Sequence, residues 1–331
     1  MGSRWTPDAV LDLARAYQPS CVLATASDWD VFTVLAREPQ SAAALAGRLH
    51  ADVRGLTVLL DALAAMSLLH KQGDRYSVPP DVAQVLTEDG CDSVLPMVRH
   101  QANCLRRWAQ LARVVQTGKS ADDVASIRGA AADQQSFIGA MHTICGPVAE
   151  TIVAEIGVRS FRHLLDVGGA SGTWTIAWLR AFPEATATLF DLPEVIPMAA
   201  RRLADVGLAD RVTLVPGDFD TDELPAGADL VWLSAIAHQN SREQNRGLFA
   251  KAYRAMVAGG VLLIRDVVMD DTHTEPVGGA MFAVNMLVAT QGGSTYSMAE
   301  YGEDLTAVGF VNPTLCRRDP WMNSIVRAEK A

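Results

Sequence analysis

Phe161-Arg-His-Leu-Leu-Asp-Val-Gly-Gly-Ala-Ser-Gly-Thr-Trp-Thr-Ile-Ala-Trp-Leu179 is the stretch that decides the fold. A short apolar strand, Leu164 to Val167, runs into a turn of small residues and then into a helix. Gly168, Gly169, Ala170 and Gly172 let a ligand come close to the backbone, since no Cβ or only a methyl group intrudes. Phe182-Pro-Glu breaks the helix, and Ala187-Thr-Leu-Phe-Asp191 reads as the next strand, with an acid at its end. An acid about 20 residues beyond such a turn can accept hydrogen bonds from both hydroxyls of a ribose.

Downstream the same alternation continues. Apolar runs of strand length alternate with amphipathic helical stretches, which predicts an α/β domain with a mainly parallel sheet. The next strand, Val212-Thr-Leu-Val, ends in Pro-Gly-Asp218-Phe219. Asp218 can accept from an adenine amino group and Phe219 can cover the base. Nicotinamide dinucleotides and S-adenosylmethionine both suit a glycine turn with a distal acid. The turn reads GGASG rather than GxGxxG, and Asp166 stands two residues before its first glycine. That acid suits an amino group and opposes a pyrophosphate by like charge. The residues therefore favour S-adenosylmethionine.

The first half of the 331-residue chain reads as mostly helical. Helical periodicity runs over Ala9 to Ala16 and Cys21 to Ala36. Ser41 is placed to cap a following helix, and Leu56 to Met66 forms another. Ser67-Leu-Leu-His-Lys-Gln-Gly-Asp-Arg-Tyr-Ser-Val78 reads as two short strands around a Gly-Asp turn. Three helices and a hairpin make a winged-helix pattern. A DNA-reading role is disfavoured, because no Lys or Arg falls between Gly55 and Met66. Residues 118–129 read as a loop, and a helix starting near Phe137 leads into the second domain.

Composition supports these readings. Lys plus Arg number 28 and Asp plus Glu 38, a formal net charge of −10. An acidic chain is a poor polyanion binder, so no nucleic-acid partner is expected. No uninterrupted apolar run approaches the roughly 18 residues of a span, so no membrane partner is expected. Met1-Gly-Ser-Arg-Trp-Thr-Pro-Asp8 has no basic segment followed by an apolar one, and a cytoplasmic protein is expected. The five cysteines form no CxxC or CxxH pair, and no metal site is expected.

With these motifs together, the chain resembles the S-adenosylmethionine-dependent O-methyltransferases. That family includes plant caffeic-acid and acetylserotonin O-methyltransferases and bacterial polyketide-tailoring enzymes. The resemblance covers nearly the whole chain. It rests on Val31-Phe-Thr-Val-Leu, Ser41 to Leu49, Leu59 to Leu69, Leu165-Asp-Val-Gly-Gly, Phe190-Asp-Leu-Pro, Gly217-Asp-Phe, Asp229-Leu-Val-Trp-Leu-Ser and Gly259-Gly-Val-Leu-Leu-Ile. It implies a winged-helix dimerisation domain over 1–105, a helical linker contributing to the acceptor pocket over 106–160, and a Rossmann-like catalytic domain over 161–331. The catalytic sheet would have seven strands, the last pair antiparallel and drawn from Val311-Asn-Pro-Thr-Leu-Cys and Ser324-Ile-Val-Arg-Ala. A homodimer through the N-terminal helices and a small-molecule acceptor from secondary metabolism are the implied partners. S-adenosyl-L-homocysteine is the implied product.

Carried over residue by residue, the resemblance assigns the methionine part of the cofactor to Asp166, Gly168, Gly169 and Gly172. Asp191 and Leu192 would hold the ribose, Asp218 and Phe219 the adenine, and Ser234 would lie beside the cofactor. His238 would deprotonate the acceptor, a task that suits imidazole, which ordinarily titrates near pH 6.5. Asp266 falls where plant members carry a glutamate that orients this histidine. A second plant glutamate falls near Thr295, which cannot play that part. Family members commonly have His-Asp-Trp, whereas this chain has His238-Gln239-Asn240. Met141, His142, Phe282, Asn285, Met286 and Tyr296 are the implied acceptor-pocket residues, and Trp108 stands on a helix that can reach it.

Plainer readings stand beside these. His238 can be a satisfied polar residue at a strand end, Asp266 can pair with Arg265, and Met141, Phe282 and Met286 can be helix core. The Gln239-Asn240 departure keeps methylation at carbon or nitrogen open. A cofactor-binding regulator without transferase activity, or a winged-helix regulator, belongs to a different class of function.

Overall fold

The computed structural model describes residues 5–331. They divide into two compact units. One holds the chain up to Arg107 together with Asp123–Thr143, and the other holds Trp108–Asp122 and Ile144–Ala331.

The first unit opens with α1 (Pro7–Arg15), α2 (Tyr17–Asp28), α3 (Val31–Arg37), β1 (Gln40–Ser41), α4 (Ala42–Leu49) and α5 (Val53–Ala65). β2 (His70–Gln72), β3 (Arg75–Ser77) and α6 (Pro80–Leu86) follow, then α7 (Leu95–Trp108). The caps are local. Ser41 Oγ accepts from the Ala44 N–H at 3.2 Å, and Asp52 Oδ1 from the Gly55 N–H at 2.7 Å. The periodicity over Cys21 to Ala36 is interrupted, because Asp30 takes a left-handed φ of 53° and separates α2 from α3. The hairpin is shorter than its apolar residues suggest: Leu68 and Leu69 precede β2, and β3 pairs with both β2 and β1. Phe32, Leu35, Leu45, Leu60, Leu63 and Tyr76 fill the core of this unit.

α8 (Leu111–Thr117) precedes the irregular segment 118–129, and α9 (Ala130–Glu155) follows it. α9 therefore begins seven residues before Phe137. It is the one described helix with the length and apolar composition to cross a membrane. Its C-terminal part places Ala149, Ile152 and Val153 in the core of the second unit.

The second unit is a Rossmann-like fold. Its remaining elements are β4 (His163–Val167), α10 (Thr173–Ala181), β5 (Thr186–Asp191), α11 (Ile196–Asp205), β6 (Val212–Pro216) and β7 (Ala228–Ser234). After them come α12 (Arg242–Ala255), β8 (Met256–Asp266), β9 (Val268–Met269), α13 (Val277–Ala289) and β10 (Tyr296–Ser297). α14 (Met298–Ala307), β11 (Phe310–Arg317) and β12 (Ser324–Lys330) close the chain. The seven-stranded sheet has the order β11-β12-β8-β7-β4-β5-β6. β4 to β8 run parallel, while β12 is antiparallel to both β8 and β11, as the resemblance implies. Alternation along each strand sends Leu165, Val167, Leu233 and Ile264 to one face and Leu164, Trp232, Leu263 and Ile325 to the other. Both faces are covered, which is the condition for a parallel sheet of apolar strands.

The crossovers bring the carboxyl ends of β4, β5, β6, β7 and β8 to one edge, where open α/β sheets bind ligands. Backbone hydrogen bonds join neighbouring ends there. Gly168 N–H donates to the Phe190 carbonyl at 2.8 Å, Gly217 N–H to that of Asp191 at 2.9 Å, and Ala235 N–H to that of Arg265 at 2.8 Å.

Candidate active site

The edge of the sheet holds two clusters. The first surrounds the turn after β4. Gly168, Ala170 and Gly172 have φ values of 67°, 48° and 76°. A Cβ on Gly168 would come within 2.6 Å of Ile236 Cδ1, and one on Gly169 within 2.6 Å of Leu189 Cγ. The turn thus has glycine where the chain packs closest to itself, and it presents bare backbone at the sheet edge.

Acids line this turn. Asp166 is 1% exposed, and its Oδ2 accepts from Thr175 Oγ1 at 2.6 Å. Burial pushes its carboxyl up to about 7, and the neighbouring Asp191 adds to the rise. Asp191 Oδ2 accepts the Ala170 N–H and Oδ1 the Leu192 N–H, each at 2.7 Å. Burial raises this carboxyl too, against the lowering by those two donors. Leu192 itself is exposed. Asp218 Oδ1 accepts the Asp220 N–H at 2.9 Å, which shapes the turn after β6. Phe219 lies against the core, on the side of Gly168. Among the described residues, no cation forms an ion pair with Asp166, Asp191 or Asp218.

The second cluster lies past β7. The single helical turn Ala237–Gln239 buries His238. Its Nδ1–H donates to Asp266 Oδ1 at 2.8 Å, and its backbone N–H to Oδ2 at 3.2 Å. Asp266, at the end of β8, is 1% exposed. With Nδ1–H donated to the carboxylate, the ring's accepting lone pair is the one on Nε2. The Phe282 ring stands edge-on to the imidazole at 4.8 Å. Asp266 does not pair with Arg265, the other reading of the sequence. Strand alternation sends Arg265 to the opposite face, over the Trp174 ring at 4.8 Å, where it donates to Asn323 Oδ1 and to Ser234 Oγ. Ser234 therefore stands at the end of β7 held by Arg265 at 3.1 Å.

Of the other residues the resemblance assigns to an acceptor pocket, Phe282, Asn285 and Met286 lie on α13 of the second unit, and Met286 is buried. Asn285 Oδ1 accepts from Trp108 Nε1 at 2.8 Å. Tyr296 is buried at the pairing of β10 with β9, and its hydroxyl donates to the Asn240 carbonyl. Thr295 is buried and donates to the Gly279 carbonyl at 3.4 Å. Met141 and His142 lie on α9 in the first unit. Sequence reasoning missed Thr175 as the partner of Asp166, and Arg202, which donates to Ser171 and Thr173 at the head of α10. The hydroxyls at 171, 173 and 175 in the glycine motif were the available signal.

An O-methyltransferase domain model matches residues 108–311, and an O-methyltransferase dimerisation domain model matches residues 11–89. The chain belongs to the O-methyltransferase family. Like its family, it is an S-adenosylmethionine-dependent methyltransferase. A tetracenomycin polyketide synthesis 8-O-methyl transferase of Streptomyces glaucescens is 30% identical over 312 residues, 92% of each chain. A 3-hydroxy-5-methyl-1-naphthoate 3-O-methyltransferase of Streptomyces sahachiroi is 30% identical over 331 residues, 98% of this chain and 96% of its own. A solved O-methyltransferase from neocarzinostatin biosynthesis is in complex with S-adenosylmethionine and 2-hydroxy-5-methyl naphthoic acid. It matches with a TM-score of 0.81 at 25% identity, covering 100% of both chains.

The residues of this methyltransferase fit that cofactor. Two acids whose carboxyls burial holds above the ordinary range, Asp191 also raising Asp166, converge on a bare turn with no described cation between them. A ligand carrying an ammonium and a sulfonium supplies the missing positive charge.

Proposed function

We propose that this methyltransferase acts on a hydroxyl group of a small aromatic acceptor, with His238 as the general base. The buried His238–Asp266 pair carries this reading. When bound, S-adenosylmethionine supplies an electrophilic methyl group on a sulfonium. Asp166 would hold its amino group beside the backbone of Gly168, Gly169 and Gly172. Asp191 and Leu192 would hold the ribose, and Asp218 and Phe219 the adenine, with Ser234 alongside. His238 Nε2 takes the proton of the acceptor hydroxyl, and Asp266 stabilises the imidazolium that results and fixes its orientation. The proton then sits on Nε2 until solvent removes it. Phe282, Asn285 and Met286 form the wall of α13 against which the acceptor is held in line.

The relatives with aromatic polyketide and naphthoate acceptors in their names support an acceptor of that class. We further propose a cytoplasmic homodimer formed through residues 1–105. Exposed Val10, Leu11, Leu13 and Tyr17 on α1 and α2, with Val58 on α5, support that face as the interface. The proposed division of labour keeps 106–160 as the link to the catalytic part, 161–331.

Mass spectrometry tests the reading. Purified protein is incubated with S-adenosylmethionine and a panel of phenols, naphthols and hydroxyquinones, and the site of the added methyl group is determined. Methyl ethers are expected. Products methylated only at carbon or nitrogen would replace the hydroxyl reading with that alternative. Cofactor binding without any product would overturn the aromatic-hydroxyl reading of the acceptor.

A further inference from the structure

The Trp108–Asn285 hydrogen bond fixes the sense of an amide on α13. An indole N–H can only donate, so the Asn285 atom facing it at 2.8 Å must be the amide oxygen. The amide is thereby fixed in one of its two senses, with Nδ2 turned away from Trp108. Among the described residues, no group accepts a hydrogen bond from Nδ2, and Nδ2 is not among the buried polar atoms left without a partner. Its two hydrogens are open to a ligand. Asn285 stands three residues after Phe282 on α13, so both lie on one helix face. Phe282 is the residue in ring contact with His238. The free amide donors therefore lie about one helical turn, roughly 5 Å, along the face that borders the base. No described Lys or Arg bonds to Asn285, so the site offers a neutral donor, suited to a neutral oxygen.

We propose that the acceptor carries a carbonyl oxygen ortho or peri to the hydroxyl that is methylated, and that Asn285 Nδ2 donates to it. Trp108 is the positioning residue that keeps Asn285 in this sense. The inference rests on the hydroxyl-methylation reading above and narrows its substrate class to hydroxyaryl ketones and hydroxyquinones. A ligand presenting a donor at that position, such as an ortho amine, would meet the amide hydrogens and be rejected.

Three probes test it: 1-hydroxy-2-acetonaphthone, the carbonyl-free 2-ethyl-1-naphthol of similar size, and S-adenosylhomocysteine as the control ligand. Affinities for the two naphthols are measured by calorimetry with S-adenosylhomocysteine present. The wild-type protein should bind the ketone about three- to tenfold more tightly, the size of one neutral hydrogen bond. Asn285→Asp, which removes both donors, and Trp108→Phe, which frees the amide to turn, should each bring the ratio within about twofold of unity. Both variants should hold S-adenosylhomocysteine as the wild type does, which shows that they are folded. A wild-type ratio near unity overturns the proposal, and a ratio that survives Trp108→Phe overturns the positioning role. Turnover of the same naphthols is followed separately. A binding ratio that holds while neither naphthol is methylated would defeat the hydroxyl-methylation reading and leave this recognition standing.

Discussion

At the scale of single residues, the chemistry depends on where three protons sit. Asp266 holds a proton on His238 Nδ1 and leaves Nε2 free to receive one. His238→Ala should lower kcat by about 10²- to 10⁴-fold while leaving the Kd for S-adenosylhomocysteine unchanged. Equal losses in both would make His238 a cofactor ligand. Asp266→Asn keeps the shape, but its amide can donate to Nδ1 and drive the ring proton onto Nε2. A kcat loss of comparable size is expected, again at unchanged cofactor affinity. The third proton belongs to Asp166, whose folded-state carboxyl is raised to about 7 by burial and by Asp191. Below that pH the carboxyl is neutral and its attraction for an ammonium is lost. The Kd for S-adenosylhomocysteine should therefore rise as the pH falls from 8 to 5.5, and Asp166→Asn should flatten the profile. The stability effect of this group has the opposite sense. A carboxyl raised above its unfolded value of 3.8 binds more protons folded than unfolded, so it removes stability as the pH climbs from about 4 to 7. A calorimetric titration across pH checks the binding prediction.

At the scale of elements, the proposed cofactor site depends on the turn between β4 and α10. Gly168 needs both its left-handed φ and the absence of a Cβ, because Ile236 fills the adjoining space. Gly168→Ala should weaken S-adenosylhomocysteine binding by at least about tenfold and lower the Tm by several degrees, since strain and overpacking each cost about 1–3 kcal/mol. Binding at wild-type affinity with an unchanged Tm would show that the turn tolerates the methyl group. α13 has the corresponding place in the proposed acceptor site. Phe282, against the His238 ring, and Asn285, bonded to Trp108, stand one turn apart on it and connect the proposed base to the proposed acceptor contact.

At the scale of the whole molecule, the N-terminal helices expose more apolar surface than a small unit can bury by itself. Leu13 is 63% exposed and Val58 62%. Sedimentation velocity should give a dimer at micromolar concentration. Leu13→Glu with Val58→Glu should shift it toward monomer, because burying two unpaired carboxylates in an apolar interface is costly. A wild-type monomer at 10-fold higher concentration would remove the interface proposal. In the winged-helix pattern, α5 has Arg54 as its one cation, in its first turn, and presents Val58 outward.

The class of fold and the kind of cofactor were legible in the residues alone. Local rules suffice for that: strand alternation, a glycine turn that only small residues permit, and acids placed after successive strands. Caps such as Ser41 and Asp52 were also within reach, since they act over three residues. Boundaries set by long-range packing were not. The left-handed break at Asp30 and the early start of α9 at Ala130 have no strong local signal. Only the tertiary structure decided which partner each buried polar group takes. Asp266 adjoins Arg265 in sequence but bonds to His238, 28 positions away, because alternation along β8 sends successive side chains to opposite faces. Trp108, at the end of α7, and Asn285, on α13, meet across 177 positions. Hydrogen-bond partners in a core are set by which elements pack together, and the spacing of residues along the chain carries no record of that choice.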